Sequence, residues 1–242
     1  MKLKLKSNFS GKAGVAKVAI SASLLASSLF INPAHAVNWN ESGDAGQLLA
    51  TAQEALGSGP LRNIYGTVTN GADVDLYRIY ISSPTTFSAS VTGTFDSGLA
   101  LFNSGGYGIY GNDDARLGDS NAGLPAGDPR GPQAVGWYYL GVFDINSTTP
   151  TSGNGVVPEN FIAPNTAAPF TSIITASGPG GASPLTGWAP PPDATGGAVN
   201  EAYRLRLSGV SVVPEPETYA MLLAGLGLVG AMARRRKVFA EL

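Results

Sequence analysis

Along the middle of the chain apolar and polar residues alternate with a period of two, and clusters of Gly, Pro, Asn and Asp interrupt the alternation. Phe87, Ala89 and Val91 alternate with Ser88, Ser90 and Thr92, and Tyr203, Leu205 and Leu207 with Arg204, Arg206 and Ser208. Successive side chains of a strand point to opposite faces, so these segments predict strands with one wet face and one dry face. In 75–81, Tyr77, Ile79 and Ile81 share one side while Arg78 lies on the other. Residues 137–143 are apolar on both sides, which predicts a central strand with Trp137 in the core. Further strands are predicted at 64–69, 99–103, 108–111 and 170–176, with hairpin chemistry at Asn103-Ser104-Gly105-Gly106. Many short strands at this spacing predict an all-β fold, an antiparallel β-sandwich. Residues 45–56 have helical composition, with Asp44 placed to cap and Gly57 to stop, but their apolar residues form no clean stripe.

The alternation fails completely at the two ends. Lys2, Lys4, Lys6, Lys12 and Lys17 precede an apolar stretch at 18–31, and Ala34-His35-Ala36 is a small-x-small cleavage site. This is the order of a secretory signal peptide, cut by signal peptidase after Ala36 to leave Val37 as the first mature residue. A retained N-terminal anchor would give the same export. At the other end the uncharged run 218–233 is followed by Arg234, Arg235, Arg236 and Lys237. A helix over that run rises roughly 24 Å, a little short of the hydrocarbon layer of about 30 Å, and snorkelling Arg and Lys side chains make up the difference. Basic residues flanking a span stay in the cytoplasm, so everything before Pro214 is expected outside. The expected organisation is a signal segment at 1–36, one domain at 37–212 with a Pro/Gly-rich insertion at about 146–200, and a terminal segment at 213–242. Within the last, 213–217 precedes the helix and 234–237 is the basic stop.

Removing the ends changes the charge. Residues 37–213 carry six arginines, no lysine and 14 acidic side chains, a formal charge of −8 that the whole-chain value of −2 conceals. Such a surface repels nucleic acid phosphate, so DNA and RNA are not expected partners. The single histidine, His35, falls in the leader and there is no cysteine. The mature chain then lacks an imidazole base, a thiolate and a His/Cys zinc site, so it is expected not to be an enzyme.

The segment Pro214-Glu215-Pro216, followed by the apolar run and Arg234 to Lys237, resembles the PEP-CTERM sorting signal of Gram-negative bacteria. That resemblance implies processing by an exosortase, a membrane-embedded transpeptidase. It also implies a transient stay in the inner membrane and delivery to the cell surface or the exopolysaccharide matrix. The segments 71–78, 111–114 and 136–140 fall in an order that resembles the bacterial pre-peptidase C-terminal domain, a small β-sandwich of jelly-roll type. That resemblance spans about 37–143, with 203–212 as a last strand. This chain departs from the pattern through its Pro/Gly-rich insertion and the lack of a peptidase domain.

Two kinds of chemistry remain on the mature chain. Asp73 and Asp75 share a strand parity, and Asn112, Asp113 and Asp114 sit in one predicted loop. Hard oxygen ligands grouped in this way could hold Ca²⁺, but without an EF-hand order or a glycine-rich repeat the same groups better suit Asx-turn caps at strand ends. No other cofactor is expected. Among the aromatics Trp39, Tyr107, Tyr110, Trp137 and Trp188, the last, in Gly187-Trp188-Ala189-Pro190, is the candidate for stacking on a sugar ring, against the plainer reading of a tryptophan that covers a gap beside the Pro-rich loop. Two functions follow as expectations. One is a non-catalytic surface or matrix protein associated with exopolysaccharide or biofilm. The alternative is a carbohydrate-binding module that uses exposed aromatics and Asp/Asn side chains.

Overall fold

The computed structural model describes residues 35–152, 159–160, 172–190, 197, 200–212 and 221–230. The expected signal segment, the Pro214-Glu215-Pro216 motif and the basic stop lie outside the described residues, apart from His35 and Ala36 at the junction. Strands in chain order are β1 (Val37–Asn40), β2 (Gln53–Glu54), β3 (Gly59–Val68), β4 (Val74–Ile81) and β5 (Ser88–Thr92). They continue with β6 (Ser97–Asn103), β7 (Gly108–Asn112), β8 (Gly123–Leu124), β9 (Gly136–Asp144) and β10 (Thr149–Ser152). The last are β11 (Glu159–Asn160), β12 (Ile174–Thr175), β13 (Gly187–Ala189), β14 (Glu201–Ser208) and β15 (Val210–Val212).

The expected sandwich takes the form of one curled sheet. Its hydrogen-bonded path runs β12-β7-β6-β9-β4-β15-β3-β14-β5-β8, antiparallel throughout, while β1 adds parallel to β3 and β2 parallel to β4. A small sheet, β11-β10-β13, stands apart from that path. The alternation read from the sequence decides what fills the curl. Tyr77, Ile79 and Ile81 of β4, Leu99 and Leu101 of β6 and Leu140 and Val142 of β9 meet Val91 of β5 and Leu205 and Leu207 of β14 in one buried cluster. Each such side chain contributes about 1.5–3 kcal/mol when fully buried.

The opposite parity of β4, β6 and β9 builds a second cluster from Val74, Leu76, Phe102 and Phe143. This is why β9 is apolar on both sides. The Pro/Gly-rich insertion covers that second face, contributing Leu185 and Trp188. Trp188 meets Phe143 with ring centroids 5.1 Å apart and Phe102 at 6.2 Å, and its Nε1 donates to Gln47 O at 2.8 Å.

Three expectations are corrected. Residues 45–56 form turns and the short strand β2 instead of a helix. The carbonyl of Ala45, which a helix would pair with the N–H four residues on, accepts instead from Leu76 N on β4. Trp137 is not in the core. It lies half-buried on the outside, under the Arg78 guanidinium 4.0 Å from its ring centre, with Tyr80 edge-on at 5.3 Å. Of the strand expected at 170–176, only Ile174 and Thr175 pair, with β7, and residues 170–171 lie outside the described residues. Residues 221–230 are helical with every side chain exposed, inside the run expected to span. Among the described residues no helix is long and apolar enough to cross a membrane, which says nothing of a membrane β-barrel.

Candidate functional site

The five oxygen-bearing residues singled out in the sequence separate in space and acquire partners that sequence reasoning missed. Asp73 acts as a turn cap: its Oδ2 accepts from Thr69 N at 2.7 Å and from Thr69 Oγ1 at 2.8 Å. Asn112 ties loops together, accepting from Gly123 N at 2.9 Å and donating to Ser172 O at 3.2 Å. Asp75, Asp113 and Asp114 instead enter two carboxylate clusters. Glu41, Asp44 and Asp75 form one and Asp96, Asp113 and Asp114 the other, each with ligand oxygens within 4.8 Å of one another.

The first cluster is built where the segment after β1 passes the start of β4. Strand parity turns Asp75 inward with Tyr77, and it is fully buried. Its Oδ2 accepts from Tyr203 Oη at 2.6 Å, and Tyr203 Oη lies 2.6 Å from Tyr77 Oη. Its Oδ1 receives no hydrogen bond. Against that carboxyl group stands Glu41, whose own oxygens accept from Ala45 N at 2.7 Å and Thr67 N at 2.9 Å. Burial is the main reason that the Asp75 carboxyl is pushed up to about 9, with the negative charges of Glu41 and Asp73 adding to it and the Tyr203 hydrogen bond opposing. Burial and the charge of Asp75 likewise push the Tyr77 phenol up, and burial first and Tyr77 second raise Tyr203. Asp44, nearer the surface, is raised by desolvation and then by Asp73.

The second cluster lies where β7 ends and the turn before β6 passes. Asp96 accepts from Asn146 Nδ2 at 2.8 Å, and the buried Oδ1 of Asp113 has no hydrogen bond. Desolvation, then Asp96 and Asp114, raise Asp113 to about 7. The side chain of Asp113 is only partly buried, so water screens this cluster more than the first.

Both clusters are oxygen-only, and each holds a buried oxygen that lacks a donor. A hard divalent cation such as Ca²⁺, which takes six to eight oxygens, fits that donor set. The first has the stronger fit, because Asp75 is fully buried as a whole residue whereas Asp113 is only partly so. Trp188, the sugar candidate, has its ring committed to Phe102 and Phe143 and its N–H to Gln47. Of the other aromatics, Tyr110 is buried, Trp39 packs edge-on against Tyr77 at 6.0 Å, and Tyr107 is exposed.

Comparison with known proteins places one feature. Residues 212–237 match the PEP-CTERM protein-sorting motif. The motif indicates exosortase-dependent sorting of an exported protein that is held transiently in the membrane. No match is found among curated proteins.

Proposed function

We propose that the protein is a non-catalytic component of the cell surface or extracellular matrix, exported, released from its anchor by an exosortase and associated there with exopolysaccharide. The observation that carries this reading is the sorting motif at 212–237, placed directly after the last strand of a β-rich body. A body whose regular elements are nearly all strands, with a net negative mature segment, suits a soluble scaffold outside the cell. The test is intact mass and cell fractionation in a host that carries an exosortase, with a Pro214→Ala/Glu215→Ala/Pro216→Ala variant alongside. The expected wild-type product begins at Val37, ends near Pro214 and leaves the membrane fraction, while the variant stays there with Arg234 to Leu242 attached. A wild-type product that keeps its C-terminus in the inner membrane overturns the reading.

Calcium is the proposed ligand of the Glu41–Asp44–Asp75 cluster. What supports it is the fully buried, donorless Oδ1 of Asp75 facing a second carboxylate. A cation there would join the segment after the mature N-terminus to β4, a structural role and not a catalytic one.

A further inference from the structure

The six arginines of the mature body divide into two groups of three. Arg78 pairs with Glu54 at 2.9 Å, Arg116 with Asp119 at 3.0 Å and Arg130 with Asp128 at 2.7 Å. Arg62, Arg204 and Arg206 have no ion pair among the described residues and are exposed. All three belong to neighbouring strands, Arg62 to β3 and the others to β14. Arg204 stands opposite Tyr65 on one side and Thr92 on the other, and Arg206 opposite Asn63 and Ser90. Tyr203, Leu205 and Leu207 are buried, so the two arginines point away from the core, spaced about 7 Å along the strand.

Charge is segregated on this face. Across β1, β3, β14 and β5 the one carboxylate is Glu201, which shares the phase of buried Tyr203 and is bonded to the Thr94 hydroxyl. Among the described residues these four strands therefore keep carboxylates off their outward side, and the three arginines without an ion pair lie on β3 and β14. Acidic groups farther off than about 8 Å are largely screened at physiological salt, so an approaching polyanion meets the arginines first.

We propose that this outer face of β3, β14 and β5 binds an anionic polysaccharide, one bearing carboxylate or sulfate groups. Arginine's planar fork pairs two-pronged with such groups, and the hydroxyls and amides of Tyr65, Ser90, Thr92 and Asn63 offer partners for sugar hydroxyls. A row of exposed side chains along two paired strands suits an extended polymer. A lipid surface is disfavoured because the face projects no large aliphatic side chain that could enter a bilayer. The inference rests on the reading of the protein as a matrix component and names the chemistry of what it would hold there.

The experiment uses the processed protein released from its host, with alginate as the anionic probe, dextran as the neutral one and phosphatidylglycerol vesicles as the lipid one. The expected result is saturable binding to alginate that weakens with salt, no binding to dextran, and at least about a tenfold loss in an Arg204→Gln/Arg206→Gln variant. Both side chains are exposed, so the variant should melt as the wild type does; Arg130→Gln, which removes an arginine that is paired with Asp128 beside Ile173 and lies off these strands, should bind alginate unchanged. Alginate binding that survives the double substitution, absence of alginate binding, equal binding to dextran, or preference for the vesicles each overturns the proposal. Failure of alginate binding alongside correct C-terminal processing would leave the sorting reading standing, so the two fail separately.

Discussion

Asp75 occupies the inward side of β4 with Tyr77, Ile79 and Ile81, so the strand's period places a carboxyl group where its charged form is costly. Tyr203 donates to one of its oxygens, and the other receives no donor and stands against the Glu41 carboxyl group, with which a retained proton is shared. Without a cation the folded protein keeps a proton on Asp75 up to about pH 9, whereas the unfolded chain releases it near 3.8. The raised folded-state value fixes the sign: the stabilisation is complete below 3.8 and is lost as pH rises through the interval to about 9. The slope from this group reaches about 1.4 kcal/mol per pH unit. Asp113, raised to about 7 but partly exposed, adds a weaker trend of the same sign. Asp75→Asn keeps the shape, still accepts from Tyr203 and offers Glu41 a donor without a charge. In EDTA, urea titrations between pH 5 and 9 should show a steep fall in wild-type stability and a markedly flatter curve for Asp75→Asn, with the variant the more stable at pH 8. Parallel curves would mean that Asp75 is ionised in the folded protein.

At the scale of elements, the join between β14 and β15 is a one-residue corner. A single residue, Gly209, separates a strand paired with β3 and β5 from one paired with β4 and β3. Its φ is +70°, its carbonyl accepts from Ser82 N at 2.8 Å and Ser83 N at 3.1 Å, and an added Cβ would lie 2.5 Å from Ser83 O. Gly118 has a similar φ of +78° with nothing within 4 Å of its Cβ position. Gly118→Ala should therefore cost only the left-handed penalty, about 1–2 kcal/mol. Gly209→Ala adds a backbone clash and should cost about 3 kcal/mol or more, read as a larger drop in the urea midpoint. Equal costs would show that the corner relaxes. The strands around this corner were legible in the sequence, because Tyr203, Leu205 and Leu207 alternate with charged and hydroxyl residues over an uninterrupted run. Residues 45–56 were not, since composition carries no record of Ala45 bonding to β4. Trp137 was misplaced for a related reason, and Trp188 takes the gap-covering place instead of the sugar-stacking one. Trp137 lies in an apolar strand yet covers Arg78 outside, while Trp188, in a polar insertion, closes the second core. Local pattern ranks a segment's polarity, but long-range packing decides which side of a sheet each ring finds.

Taken as a whole, the body is a curled sheet whose first mature strand, β1, is attached along one edge only, parallel to β3. Glu41 follows directly after it, and among the described residues it shares a carboxylate cluster with Asp44 from the same segment and Asp75 from β4. Asp75 was visible in the sequence as a candidate ligand, but Glu41 and Asp44 were not, because a parallel strand that brings them to β4 leaves no turn signature. A cation held by the three would couple this end of the molecule to the strand that lines both hydrophobic clusters, and so to cooperative unfolding of the whole body. Calcium in about hundredfold excess over its Kd would add about 2.7 kcal/mol, which raises Tm by about 5–10 °C for a domain of this size. Calorimetry of the processed protein in millimolar calcium and in EDTA should show that rise. Asp75→Asn should abolish it, while Asp96→Asn, at the more exposed cluster, should leave most of it. A wild-type Tm indifferent to calcium would assign the Glu41–Asp75 pair to a shared proton alone, and the first strand would then be held by its hydrogen bonds to β3 and by the packing of Trp39 on Tyr77.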